Sequence, residues 1–309
     1  MAHDSTKSSK TASDGQKTPL YGLSRYLETR PGSYLSGTFL VLLCIMCMSM
    51  PGAYAVETPG PVRDVLSTVN QAEKIAEKSD DSSASEPSDE PMISISGDGA
   101  KTYQDSGKLF LTTVSAQGVP GYPISVWQTA FAYFSPSAIV LPREAVSPIG
   151  QSSDEYKQRS DKQMSQAQSN AISQALQFAK NRGIDAENIK IEMKADDIGG
   201  PSAGLMYTLG AIDLLTEESL TAGQIIAGTG TMESDGTVGA IGGIRLKMIA
   251  AAANKATWFL APESNCDSVV GHVPQGLRDV SVSTLDEAYE ALRAISQGEG
   301  ESLPHCEVK

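Results

Sequence analysis

The chain has 309 residues, 40% of them hydrophobic, which is enough for a core in one large domain with appendages. A formal net charge of −13 and an isoelectric point near 4.7 exclude nucleic acid as a partner, because phosphates would be repelled. Cys44 and Cys47 stand in a CxxC spacing inside a hydrophobic stretch, and the other two cysteines and the three histidines show no metal-ligand spacing, so neither a metal nor another cofactor is expected.

Residues 1–33 are rich in Ser, Thr, Lys and Gly without apolar periodicity, and read as a disordered cytoplasmic tail. Leu35–Met50 (LSGTFLVLLCIMCMSM) is uncharged, follows Arg25 and Arg30, and precedes a stretch dominated by acids. The positive-inside rule places its start inside and the rest of the chain outside. The run is short of the about 20 residues that span a bilayer, and extension to Val56 supplies the length. A transmembrane anchor over 34–56 is therefore expected. Ala53-Tyr54-Ala55 resembles an A-x-A cleavage site, so a cleaved signal peptide is the rival reading. Residues 57–91 read as an acidic linker, with a short polar helix around Val65–Glu77 and a solvated tether in SDDSSASEPSDEP.

The folded domain is expected over 92–298, with a loose polar tail over 299–309. Lys108–Val114 (KLFLTTV) reads as a strand. The aromatic-rich segment Tyr122–Leu141, with Trp127, Phe131, Tyr133 and Phe134, is either a core element or a surface that meets membrane or substrate. A helix over Asp161–Arg182 ends at Gly183, and Ile189–Met193 alternates as a strand does. Trp258–Ala261 and Val280–Val282 are further strands, and Thr284-Leu285-Asp286-Glu287 is a capping box opening a last helix. Cys266 and Cys306 are either a disulfide or two unrelated thiols. Mixed strands and helices give an α/β class.

The chemistry is concentrated between Asp196 and Lys247. In DDIGGPSAGLMYTLGAIDLL, Gly199 and Gly200 allow close backbone approach, and Pro201 suits a first helical turn. Ser202 then sits at a helix start, where unpaired N–H groups and the helix dipole form an anion site able to hold an oxyanion. The candidate base is Lys247, which follows Gly242 and Gly243 in GGIRLKMIAAA and has mainly apolar neighbours. A free lysine titrates near about 10.4. Burial lowers that value toward the operating pH, where a general base works best.

GGPSAG, followed about forty-five residues later by IGGIRLK, resembles the proteolytic domain of the Lon protease family (endopeptidase La). The resemblance covers roughly 106–298 and includes MSQAQSNAISQALQFAKNRGI and the strand IKIEMKA. It puts the family's catalytic serine on Ser202 and its catalytic lysine on Lys247. The threonine that helps place the amine falls on Thr229 of IAGTGT. Gly199 and Thr231 stand where Lon has acidic residues, so the electrostatics around the lysine are expected to differ. Glycine at 199, LTTVS near residue 113 and the N-terminal apolar segment are similar to the membrane-anchored, PDZ-containing Lon-like proteases of Gram-positive bacteria. That similarity favours an uncleaved anchor over a signal peptide. Between Gly183 and the serine stretch there is no room for the PDZ module of that subgroup. No G-x-x-x-x-G-K-[ST] motif appears either, since Gly107-Lys108 is followed by Leu109.

The resemblance implies a Lon-like fold and a serine endopeptidase working through a Ser-Lys dyad on unfolded or flexible proteins, without its own ATPase. It also implies a homo-oligomer, commonly six-fold. Two alternatives stand beside it. Gly-Pro-Ser-Ala-Gly is formally a G-x-S-x-G elbow, which would make a Ser-His esterase with His272 or His305 as base. The other is a catalytically idle membrane-tethered scaffold of the same fold.

Overall fold

A computed structural model describes residues 32–67, 91–97, 101–186, 188–194 and 200–307. The expected tail lies outside these residues except at its last two positions, and so does the SDDSSASEPSDEP tether except at Pro91. The chain divides into two units, Met1–Met50 and Pro51–Lys309. In the first, helix α1 (Gly32–Ser49) carries no charge, and four consecutive side chains, Phe39, Leu40, Val41 and Leu42, are all exposed, so it is apolar around its circumference. Its 18 residues span about 27 Å at ~1.5 Å each, against a bilayer core of about 30 Å. Among the described residues no helix is long and apolar enough to cross a membrane. The expected extension to Val56 does not occur: the helix stops at Ser49, ahead of Pro51, which cannot supply a helical N–H.

Strand β1 (Tyr54–Asp64) opens the second unit and takes the place of the expected linker from residue 57. Ala55 and Val56 are buried, as are Val65 and Leu66, where a polar helix was expected to begin. Asp64 turns the chain by accepting the Leu66 N–H at 3.1 Å. Strand β2 (Ile93–Ser96) is short, and β3 (Lys108–Gln117) continues beyond the strand expected to end at Val114. β1 pairs antiparallel with β3 through a register shift between Pro59 and Val62. That irregularity accommodates Pro59-Gly60-Pro61, which a regular ladder would reject.

The aromatic-rich segment is surface. Helix α2 (Val126–Tyr133) leaves Trp127, Phe131 and Tyr133 exposed, with Phe134 beyond it. Strand β4 (Ile139–Pro142) pairs antiparallel with β1, and α3 (Arg143–Val146) is a single turn. Helix α4 (Ser153–Asn181) begins earlier than Asp161 because Ser152 and Glu155 form a capping box at its start. Strand β5 (Lys190–Met193) pairs with β2, and helix α5 (Gly204–Leu215) is buried at every residue. There follow β6 (Ile225–Gly228), the small hairpin β7 (Thr231–Met232) and β8 (Val238–Gly239), and helix α6 (Ile244–Ala253). Strand β9 (Trp258–Pro262), helix α7 (Cys266–Val269), strand β10 (Arg278–Val282) and helix α8 (Leu285–Ser296) complete the order. Thr284 caps α8 by accepting the Glu287 N–H at 3.2 Å, while Glu287 reaches back to the Ser283 N–H.

The main sheet runs β10-β9-β6-β3-β1-β4, parallel from β10 to β3 and antiparallel across β1 and β4. Strand alternation gives it two apolar faces. Leu109, Leu111, Ile226 and Leu260 join a core with α4, α5 and α8, whereas Phe110, Ala227, Phe259 and Ala261 join a second core with α6 and α7. Helices α5 and α6 thus lie on opposite faces, and each brings its N-terminal turn toward the end of β6.

The tail is not loose. Cys266 and Cys306 form a disulfide across a separation of 40 residues. The Cys306 N–H donates to Asp279 at 2.7 Å, and the Ser281 N–H donates to the Pro304 carbonyl at 2.9 Å, so residues beyond 298 run along β10.

Candidate active site

Gly200 has φ of +89°, a conformation that costs an L side chain, and it redirects the chain into the 3-10 turn Pro201–Ala203 ahead of α5. Pro201 stands first in that turn, where its missing N–H leaves no bond unmade. Ser202 is half-buried, and its carbonyl accepts two bonds: the Gly230 N–H at 3.0 Å and the Thr229 hydroxyl at 3.1 Å. The Leu205 N–H returns a bond to the Gly230 carbonyl at 3.1 Å, so the serine turn is fastened to the backbone just past β6.

Thr229 is the first residue beyond β6 and is fully buried. Its own N–H donates to the Leu260 carbonyl at 3.2 Å, which ties it to β9. Lys247 reaches the same point from the other face of the sheet. Gly243, with φ of +67°, caps α6, and a Cβ there would stand 2.7 Å from Val114 Cγ1, so only glycine lets the helix start against β3. The Lys247 N–H donates to the Gly243 carbonyl at 3.1 Å, placing the lysine one turn in. Its Nζ donates to Thr229 Oγ1 at 2.9 Å. No hydrogen bond joins Lys247 Nζ directly to Ser202 Oγ: the chain of contacts runs amine, Thr229 hydroxyl, Ser202 carbonyl.

Lys247 is only 2% exposed. Burial lowers its pKa from 10.5 to about 7, opposed by the negative charge of Glu57. About half of the amine is therefore uncharged at neutral pH, and a neutral amine that donates to Thr229 keeps its lone pair free for a proton. The neighbouring Arg245 is exposed, so of the two basic residues in IGGIRLK only the second is drawn into the core. Such an arrangement offers a hydroxyl at a helix mouth, amides for a developing oxyanion and a base near its working pH.

Of the residues singled out in sequence, Ser202, Thr229, Gly200, Pro201 and Lys247 gather at the end of β6. Gly199, Asp196 and Asp197 lie outside the described residues. Thr231 donates to Glu233 at 2.9 Å in the β7–β8 hairpin. The histidines go elsewhere. His272 is exposed and its ring contacts the Val270 carbonyl, and His305 is held beside Cys306 and Glu307. Sequence reasoning missed Glu57, which no motif marks and which fell inside the expected linker. Among the described residues no group of three His, Cys, Asp or Glu side chains is arranged to hold a metal.

Residues 139–295, just over half of the chain, match the family model of the Lon protease (S16) C-terminal proteolytic domain. The matched stretch runs from β4 to the end of α8 and contains both helix starts that meet beyond β6. The curled mixed sheet and the converging serine and lysine agree with that match, and the chain belongs to the Lon protease family as a serine-peptidase domain.

Proposed function

We propose that the chain is a Lon-like serine endopeptidase in which Ser202 is the nucleophile and Lys247 the general base. Neutral Lys247 takes the proton of Ser202 Oγ as that oxygen attacks a peptide carbonyl. Backbone N–H groups at the serine turn hold the oxyanion, and the resulting ammonium returns its proton to the departing amine. Water, deprotonated by the same amine, then releases the acyl group from Ser202. Thr229 keeps the amine aimed. The observation that carries the reading is the burial of Lys247 with its amine on Thr229, one hydroxyl away from the Ser202 backbone.

The proposed substrates are unfolded or flexible proteins, cut without an ATPase on this chain, by a membrane-anchored homo-oligomer whose catalytic unit faces outward. The Cys266–Cys306 disulfide supports that side, since such bonds persist in oxidising compartments. The tether is placed at the uncharged helix α1, whose 18 described residues are by themselves short of a span. The test is cleavage of an unfolded protein by the full chain in detergent. Ser202→Ala and Lys247→Ala are each expected to abolish it, and His272→Ala and added ATP to leave it unchanged. Loss of cleavage in His272→Ala with retention in Lys247→Ala would replace the dyad with a Ser-His elbow. Protease accessibility in intact cells checks the topology: a protected C-terminal unit overturns the outward placement.

A further inference from the structure

We propose that Glu57 is a positioning residue of this peptidase, the carboxylate that keeps a negative charge at the mouth of the Lys247 helix and stabilises the ammonium formed when the amine takes the serine's proton. The proposal rests on the dyad reading and adds to it a residue outside the stretch matched to the family, which begins at 139.

Geometry brings Glu57 there. β1 is inserted between β3 and β4, with Glu57 opposite Ala116 on one side and Ile139 on the other. Helix α6 starts against the same strands, so a Cβ at Gly243 would lie 3.4 Å from Glu57 Oε2. The carboxylate therefore sits at the mouth of α6, one turn before Lys247 in the helix. An ionised carboxylate is favoured at a helix N-terminus, where an ammonium is disfavoured. The lysine thus begins its helix in an unfavourable field that Glu57 offsets.

Among the described residues the charges around the pair are few. On α6 the other cation is Arg245, which is exposed. From α4, Tyr156 feels Glu57, and burial holds its phenol up in the neutral form. β3 and β4 present Val114, Ala116 and Ile139 at this level, none of them charged. Among the described residues Glu57 is the charge acting on Lys247, and Lys247 is the charge acting on Glu57. Burial pushes the Glu57 carboxyl up, and the lysine draws it back down. Each group thus limits the shift that the protein interior imposes on the other.

The consequence is a trade between fraction and strength. Without the carboxylate more of the amine is uncharged, but it becomes a weaker base, and the ammonium of the acylation step loses its partner. Glu57→Gln is expected to move the acid limb of the kcat/KM–pH profile down by about one pH unit and to lower the plateau several-fold. KM for a short peptide is expected to change little, since Glu57 acts through the charge of the amine and is given no part in holding substrate. Glu57→Asp keeps the charge one methylene further back and is expected to give a limb between the other two. A purely structural role lowers the rate in both variants and leaves the limb where the wild type has it, which overturns the proposal. Should Glu57→Gln not fold, an unmoved limb in Glu57→Asp overturns it equally. The same peptide assay on Lys247→Ala separates the two layers. Activity retained there removes the dyad and this proposal together. Activity lost there, with an unmoved limb in the Glu57 variants, removes this proposal alone.

Discussion

Replacing Lys247 by Met in an inactive Ser202→Ala background isolates the cost of holding an amine in the core, without self-cleavage. The side chain is 2% exposed, and burial brings its pKa from 10.5 to about 7. Between those values the unfolded chain carries a proton that the folded chain does not. Stability therefore rises with pH through that window and is lowest below it. At about 1.4 kcal/mol per pH unit the full difference is roughly 5 kcal/mol near pH 6, of which roughly 2 kcal/mol persists near pH 9. Methionine retains the unbranched stem and leaves Thr229 without one donor, a loss of about 1 kcal/mol. The double variant is thus expected to exceed Ser202→Ala in stability by about 3–4 kcal/mol near pH 6 and by about 1 kcal/mol near pH 9. Urea unfolding followed by circular dichroism at both pH values measures this directly. An equal gain at the two pH values, or a loss at the lower one, refutes the claim that the folded chain holds this amine uncharged.

Thr229→Val removes the hydroxyl that accepts from Lys247 Nζ and donates to the Ser202 carbonyl while keeping the shape. It is expected to lower kcat by about 10- to 100-fold with KM nearly constant, read by steady-state peptide cleavage. Cys266→Ser/Cys306→Ser is expected to cost about 2–4 kcal/mol in urea unfolding. Reductant should reproduce that loss in the wild type and add nothing to the variant. Asp213 is 3% exposed, and burial pushes its carboxyl up from 3.8 to about 8 while it accepts the Leu220 N–H. A raised carboxyl weakens the fold as pH climbs through that range. Asp213→Asn is therefore expected to match the wild type near pH 4 and to exceed it by about 5 kcal/mol near pH 8.

The Ser202 turn and the start of the Lys247 helix were legible because what they need is local. Glycine and proline at a helix mouth, and an apolar run after a glycine pair, are written in adjacent residues, and GGPSAG and IGGIRLK carry them. Three of the four parallel strands were legible for a similar reason, since β3, β9 and β10 alternate between two buried faces and read as apolar runs, whereas β6 was passed over. β1 was not, because Glu57-Thr58-Pro59-Gly60-Pro61 has the composition of a linker. It is a strand only through pairing with β3 some fifty residues on, where a register shift takes up the prolines. Glu57 was invisible for that same reason, its meaning depending on which helix starts beside it. α4 was shortened because its first turns are polar all round, and the capping by Ser152 and Glu155 outweighs the missing apolar stripe. Aromatic content left α2 open between core and surface, and the fold decides for surface, with Trp127 and Phe131 facing outward. The cysteine pairing rests on a separation of 40 residues that sequence cannot close without the fold.

The most direct test of the central claim is the pH dependence of kcat/KM for cleavage of a short unstructured peptide by the wild-type chain. A single ionisation near 7, the value to which burial brings Lys247, is the predicted result, with activity rising above it. A limb that stays near the free-lysine value of about 10.4 would contradict the account, as would a profile with no ionisation between about pH 6 and pH 8.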